Sequence, residues 1–335
     1  MRSAFITGLV GERLSADEKR FLAETRPAGI ILFARNCQDH DQIKVLVADA
    51  VSAIAADDVL ILIDQEGGRV QRLRPPLGRA LPPARAFGAL FATDPEMAIA
   101  AARHVFQLLA RDLRALGINT DCAPVLDIPV AGADGVIGDR AYGETVGPVV
   151  TLGRAVAEGL MAGGVVPVIK HVPGHGRATC DSHLSLPVVN EDVGLLNETD
   201  FAPFCLLADM PTAMTAHVVY SAVDPNEPAT TSRVVIEGVI RGHIGFDGLL
   251  MSDDLSMKAL KGPMQARAEK SISAGCDVAL HCNGEMAEMQ AVAEGVPELT
   301  GPSLQRFKSA WKITESAVQF DADEAEAALQ KLLLG

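Results

Sequence analysis

The chain has 335 residues, 48% of them hydrophobic and 21% charged, which is enough apolar material for one large core and fits an α/β barrel with modest extensions. With 29 Lys and Arg against 43 Asp and Glu the formal charge is −14. So acidic a surface repels phosphate backbones and anionic lipid heads, which argues against nucleic-acid and membrane partners; an anionic ligand would need a local cluster of Arg or Lys.

The N-terminal segment carries one basic residue, Arg2, and a short apolar run broken by Gly8, so no secretory leader is expected. A strand over 4–8 precedes a helix over 15–25, whose start is marked by Ser15 ahead of Asp17 and Glu18. Strand 29–33, helix 41–56 and strand 59–64 follow, and the Pro-rich stretch 74–83 reads as a surface loop. Helix 95–116 stops at Gly117, a left-handed cap residue. Strand 119–126 and helix 145–163 come next, and the fifth strand is taken to begin at Val168 because Pro167 is poorly tolerated inside a central strand. Helix 191–208, strand 212–217, helix 232–243, strand 248–253, helix 257–274, strand 278–282 and helix 285–295 complete the alternation. The Ala/Leu-rich segment 303–335 reads as helix on the barrel exterior. Strict alternation implies parallel pairing with right-handed crossovers, and eight such units imply closure into a TIM-type (β/α)8 barrel. The expected organisation is a single catalytic barrel over 1–300 with C-terminal helices over 301–335 packed on it. No apolar stretch reaches the roughly 18 residues of a membrane span. The six cysteines are scattered, without CxxC pairs, so reduced thiols and a cytoplasmic location are expected.

Several strands turn abruptly polar where they end. Strand three runs into Asp64-Gln65-Glu66-Gly67-Gly68-Arg69, strand five into Lys170-His171-Val172-Pro173-Gly174-His175, strand six reaches His217, and strand seven ends in Ser252-Asp253-Asp254. The C-terminal strand ends of such a barrel form its active-site face, and burying unpaired charge is costly, so the set points to chemistry where a single Asp would be a helix cap. In the loop 174–187, Asp181-Ser182-His183 would let a carboxylate orient an imidazole and tune it for acid/base work; a simple turn hydrogen bond is the competing explanation. His171, His175, Cys180, Asp181 and His183 are also zinc-ligand types, but their spacing fits no compact zinc pattern and Lys170 would repel the ion. Alternation lets only one of Asp253 and Asp254 aim into the barrel mouth, leaving the other to cap a helix near Met257. Arg140, in a glycine-flanked loop, would join Arg72 and Lys170 as positive charge in the mouth. The glycine pairs Gly67-Gly68 and Gly174/Gly176 fit neither nucleotide-binding pattern.

In order, Asp64-Gln65-Glu66-Gly67-Gly68-Arg69-Val70, Lys170-His171 with Pro173-Gly174-His175-Gly176, Asp181-Ser182-His183, and Ser252-Asp253-Asp254-Leu255-Ser256-Met257 resemble glycoside hydrolase family 3, and within it the single-domain bacterial β-N-acetylglucosaminidases of cell-wall recycling. The resemblance spans about residues 5–285. It implies Asp253 as nucleophile, His183 as proton donor and acceptor with Asp181 as its partner, and Asp64, Arg72, Arg140, Lys170 and His171 around the amino sugar. It implies no cofactor and no metal. The implied partner is a small molecule, a muropeptide or a chitobiose-like sugar, and a monomer is expected. Two departures, Val172 in place of the usual Phe and the stretch Arg177-Ala178-Thr179-Cys180, fall in the mobile loop and bear on loop packing and leaving-group preference.

The mechanism so implied is retaining: a carboxylate displaces the leaving group and water then releases the sugar. Lys170 or Arg140 would keep Asp253 ionised, Asp181 would raise the pKa of His183, and closure of the 174–187 loop would deliver His183 to bound substrate. Two rivals stand beside it, a metal-dependent barrel hydrolase using the histidines of 171–183 and a silent sugar-binding barrel; loss of activity on chelation would favour the first, and absence of hydrolysis the second.

Overall fold

The computed structural model describes residues 2–178, 180, 182, 185–318 and 320–334. Eight strands close into a parallel barrel: β1 (Ser3–Gly8), β2 (Pro27–Leu32), β3 (Leu60–Ile63), β6 (Thr120–Asp121), β7 (Val166–Val172), β9 (Thr212–Thr215), β11 (Leu249–Asp254) and β12 (Val278–His281), with β12 returning to β1. Two small sheets sit outside it, the hairpin β4 (Gln65–Gly67) with β5 (Val70–Gln71), and the parallel pair β8 (Val188–Val189) with β10 (Val219–Tyr220). The helices are α1 (Ala16–Thr25), α2 (His40–Ile54), α3 (Ala84–Phe91), α4 (Pro95–Ala115), α5 (Val146–Ala162), α6 (Val193–Glu198), α7 (Ala202–Leu206), α8 (Met264–Ala274), α9 (Met286–Glu294), α10 (Gly301–Trp311) and α11 (Ala322–Leu334), with a π-helical segment over Val234–His243. The expected TIM-type barrel is the fold.

Strand alternation sorts the core into two layers. Ile6, Leu60, Leu62, Val166, Val168, Leu249, Met251, Val278 and Leu280 fill the barrel, while their neighbours Phe5, Ile61, Ile63, Ile169, Leu250 and Ala279 pack outward under the helices. Both faces are apolar, as a parallel sheet covered by helices requires. Helix α1 begins as the sequence predicts: Ser15 accepts from the Glu18 amide while Glu18 reaches back to Ser15 N, a complete capping box.

Several local expectations change. Strand β7 begins at Val166 and includes Pro167, because β9 starts only at Thr212, opposite Val168, so the side of Pro167 that lacks an N–H faces no strand partner. The fourth strand is two residues long, and beyond Asp121 the chain continues beside β7 through a Val125–Lys170 bridge, interrupted at Pro124. The predicted helix 191–208 is two short helices, α6 and α7, and the helix expected from Met257 starts only at Met264, after Pro263. The C-terminal segment is not all exterior: Phe307 and Ala310 of α10 join the barrel interior, while α11 packs on α4. Ala4 N donates to Pro297 O and Leu299 N to Arg2 O, which ties this plug to the N-terminal end of the barrel, opposite the polar strand ends.

Candidate active site

On four of the strands the inward phase carries straight into the mouth. Leu60 and Leu62 lead to Asp64, Val166 and Val168 to Lys170, Leu249 and Met251 to Asp253, and Val278 and Leu280 to Cys282. These side chains line a cavity of about 550 Å³, within the range of small-molecule sites, with Arg72, Arg140, Glu66 and His171 around it.

One wall is ionic. Lys170 Nζ donates to Asp64 Oδ1 at 3.0 Å and lies 2.7 Å from Glu66 Oε1. Arg72 donates to Asp64 Oδ2 at 2.7 Å, and Arg140 grips both oxygens of Glu66, Nε at 2.7 Å and Nη2 at 2.8 Å. This fork-to-fork pairing fixes direction as well as charge. Burial alone would raise both carboxyls, but the cations reverse it: Arg140 and Lys170 bring Glu66 down to about 2, and Lys170 and Arg72 hold Asp64 well below the usual carboxylate range. Beside them Asp121 accepts from Gln65 N at 2.9 Å and is fully buried, and burial, helped by Asp64 and Glu66 and only partly offset by Lys170, raises it to about 7. Phe33 lies under two guanidinium groups, 4.8 Å from Arg35 and 4.9 Å from Arg72, a cation–π contact that steadies the Arg72 side chain over Asp64.

The other wall is built of imidazoles. His171 Nδ1–H donates to Asp127 Oδ2 at 2.7 Å, and Asp127 Oδ1 accepts the His171 and His175 amides at 3.2 and 2.7 Å, so one buried carboxylate fixes the tautomer and the turn together. His175 Nε2 lies 3.2 Å from Ser182 Oγ, and burial lowers its pKa to about 4, keeping it neutral. Asp253 sits between these walls, partly buried, its Oδ1 accepting from Asp254 N at 2.8 Å. Burial raises its pKa, but His217 and His171 when protonated, the Asp254 amide and Lys170 bring it below the usual value, so it is ionised near neutral pH.

Asp254 also lines the cavity, because the β11–β12 register shifts between Met251 and Asp254 and strict alternation ends there. Its carboxylate caps no helix. It holds a tight turn instead, accepting from Ser256 N at 3.0 Å, Ser256 Oγ at 2.6 Å and Cys282 N at 3.1 Å. Arg177 pairs with the buried Asp200 at 2.6 Å, and Tyr220 donates to the Gly174 carbonyl, so the stem of the 174–187 loop is anchored. Asp181 and His183 lie outside the described residues. Among the described residues no three His, Cys, Asp or Glu side chains gather as a metal cage.

The expected residues Asp64, Arg72, Arg140, Lys170, His171 and Asp253 thus converge on one cavity. Glu66, which also lines it, was not expected there, and neither was Asp127 behind His171. Glu66 was legible in principle, since it shares the face of Asp64 two residues earlier, whereas nothing local marks Asp127. A (β/α)8 barrel whose mouth pairs an ionised carboxylate with fixed cations and imidazoles is the architecture of a barrel hydrolase.

Residues 5–313 match the glycosyl hydrolase family 3 N-terminal domain, and the chain belongs to that family. It is 42% identical over 295 residues to a β-hexosaminidase of Alkalilimnicola ehrlichii, covering 87% of this chain and 83% of that one. Among solved structures it is similar to NagZ of Neisseria gonorrhoeae in complex with N-trifluoroacetyl-D-glucosamine, with a TM-score of 0.88, 34% identity, and coverage of 99% and 97%. A family 3 β-N-acetylglucosaminidase of Paenibacillus sp. gives the same TM-score at 31% identity; the match covers 98% of this chain but 66% of that longer enzyme.

Proposed function

We propose that the chain is a retaining exo-β-N-acetylglucosaminidase that removes non-reducing terminal N-acetylglucosamine through a covalent glycosyl-enzyme. Its proposed natural substrates are peptidoglycan-derived muropeptides in which that sugar is β-1,4-linked to anhydro-muramic acid, with or without peptide, in the cytoplasm. Asp253 carries the reading: an ionised carboxylate on the inward face of β11, its Oδ1 engaged by the next amide, at the edge of a cavity of sugar-binding size. The names of the relatives support the sugar, since several are β-hexosaminidases and one neighbour is a complex with an N-acylated glucosamine.

In this mechanism an Asp253 oxygen bonds to the anomeric carbon as the glycosidic bond breaks, and His183 protonates the departing oxygen. His183, oriented by Asp181, then takes a proton from the water that releases the sugar. Asp64, Arg72, Lys170, Arg140 and His171 are the groups offered to the ring hydroxyls and the acetamido group. The ionic wall is largely self-neutralised, with three cations against Asp64 and Glu66, so it supports recognition of polar sugar oxygens more than of a charged aglycone. The decisive experiment is intact-mass detection of an adduct with a fluorinated slow substrate, followed by peptide mapping. The expected site is Asp253, and an inverted configuration in the first-formed sugar removes the covalent reading.

A further inference from the structure

Behind Asp253 lies a set of polar side chains that this mechanism does not use. Thr215 ends β9, His217 follows two residues later, and Thr230 enters from the short turn Ala229–Thr231; all three are fully buried. The Asp253 N–H donates to Thr215 Oγ1 at 3.3 Å, and the Thr215 and Thr230 hydroxyls are 2.7 Å apart. Thr230 Oγ1 lies 2.7 Å from His217 Nδ1, and His217 Nε2 lies 3.0 Å from the Asp254 carbonyl. The path leaves the backbone at the amide of Asp253 and returns at the carbonyl of Asp254.

Proton counting gives the ring a direction. A carbonyl only accepts, so His217 Nε2 carries a hydrogen toward Asp254. Thr215 accepts from the Asp253 amide, and its hydroxyl and that of Thr230 can each donate to the other. Thr230 has one proton and three acceptors within reach, His217 Nδ1 and Thr215 Oγ1 at 2.7 Å and the Ala216 carbonyl at 3.1 Å. Sent to Nδ1, with Thr215 donating to Thr230, it completes the ring around a neutral imidazole. Sent to Thr215 or Ala216, it obliges Nδ1 to carry a second hydrogen and leaves a cation in a fully buried position, which is costly. Among the described residues, the ionisable groups facing His217 are Asp253 and Asp254 from β11 and His171 from β7, and burial outweighs the pull of the two aspartates to lower the pKa of His217.

We propose that Thr215, Thr230 and His217 are positioning residues for Asp253: a one-directional ring of hydrogen bonds clamps the 253–254 dipeptide and keeps a neutral imidazole behind the attacking carboxylate. The inference rests on the reading of Asp253 as nucleophile. The clamp holds the peptide units on either side of the one whose N–H engages Asp253 Oδ1, so the carboxylate direction is set before substrate arrives. A cation at His217 would hold the carboxylate's electrons back from the anomeric carbon.

Thr230→Val removes the hydroxyl and keeps the branched shape, whereas Thr230→Ser keeps the hydroxyl. With the full chain and a nitrophenyl N-acetylglucosaminide, Thr230→Val should lower kcat by about 10–100-fold with KM little changed, and slow labelling by the fluorinated substrate in parallel. Thr230→Ser should restore most of both, and the ¹⁵N spectrum of His217 should show the neutral Nε2–H tautomer. Thr230→Val labelling at the wild-type rate, Thr230→Ser as slow as Thr230→Val, or an imidazolium in the resting enzyme overturns the ring. If Thr230→Val does not fold, Thr215→Val against Thr215→Ser asks the same question one link away. A wild-type adduct mapped away from Asp253 removes the nucleophile reading and the ring with it, whereas an adduct at Asp253 with Thr230→Val unaffected removes the ring alone.

Discussion

The two walls of the mouth solve different problems with similar residue types. On the ionic wall, Arg72, Arg140 and Lys170 hold Asp64 and Glu66 with one positive charge in excess, and their protons stay put over the whole neutral range. On the imidazole wall, His171, His175 and His217 lie around Asp253, and single hydrogen bonds to a carboxylate and a carbonyl set the tautomers of His171 and His217. The difference teaches that fixed charge suits recognition, while neutral groups of set tautomer suit the surroundings of an attacking carboxylate. In the proposed mechanism His171 serves the sugar as well, so the two tasks meet at the imidazole wall.

The strongest way to break this contrast is on the imidazole side. Asp253→Asn should lower kcat on a chromogenic N-acetylglucosaminide by about 10³-fold or more, whereas Asp254→Asn, which loosens the Ser256–Cys282 turn, should lose far less. The reverse order would reassign the nucleophile. His183→Ala should cost about 10²- to 10⁴-fold on a disaccharide but roughly tenfold on a nitrophenyl glycoside, whose leaving group needs no proton; equal losses on the two substrates would sink the acid role.

On the ionic side the expected effects fall on stability and binding. Glu66→Gln leaves Arg140 and Lys170 short of a counter-charge and should destabilise the fold by about 3–5 kcal/mol in denaturant unfolding, with KM raised. Its pH signature follows from the lowered carboxyl. Glu66 stabilises above its ordinary 4.5, and that contribution is lost as pH falls toward about 2, so the variant should show a shallower acid decline. Asp121 has the opposite sign. Raised from 3.8 to about 7, it costs stability as pH climbs through that interval, so Asp121→Asn should be more stable by on the order of 1–3 kcal/mol at about pH 8, with no gain at about pH 4. A Tm difference independent of pH would show that Asp121 is not the titrating group.

The barrel was legible because alternation of short apolar runs with longer helical ones is a period argument, and eight repeats leave few topologies. Which face of a strand points inward was not legible. Leu249 to Met251 is apolar at every position, so alternation alone left Asp253 and Asp254 open, and only the resemblance implied Asp253. Pro167 was misread because its tolerance depends on where a neighbouring strand begins, 45 residues later in the chain. The site residues that terminate strands were visible as abrupt polarity. Asp127 and Thr230 were not, since each is an ordinary residue until folding sets it against a histidine.

The seat of Phe307 and Ala310 inside the barrel has a consequence for biosynthesis. Chains emerge from the ribosome N-terminus first, and domains fold as units. The last strand, β12, closely precedes the segment carrying this stopper, so the barrel and its seal leave the ribosome together, whereas a released chain truncated at residue 300 would hold all eight strands around an unsealed apolar end.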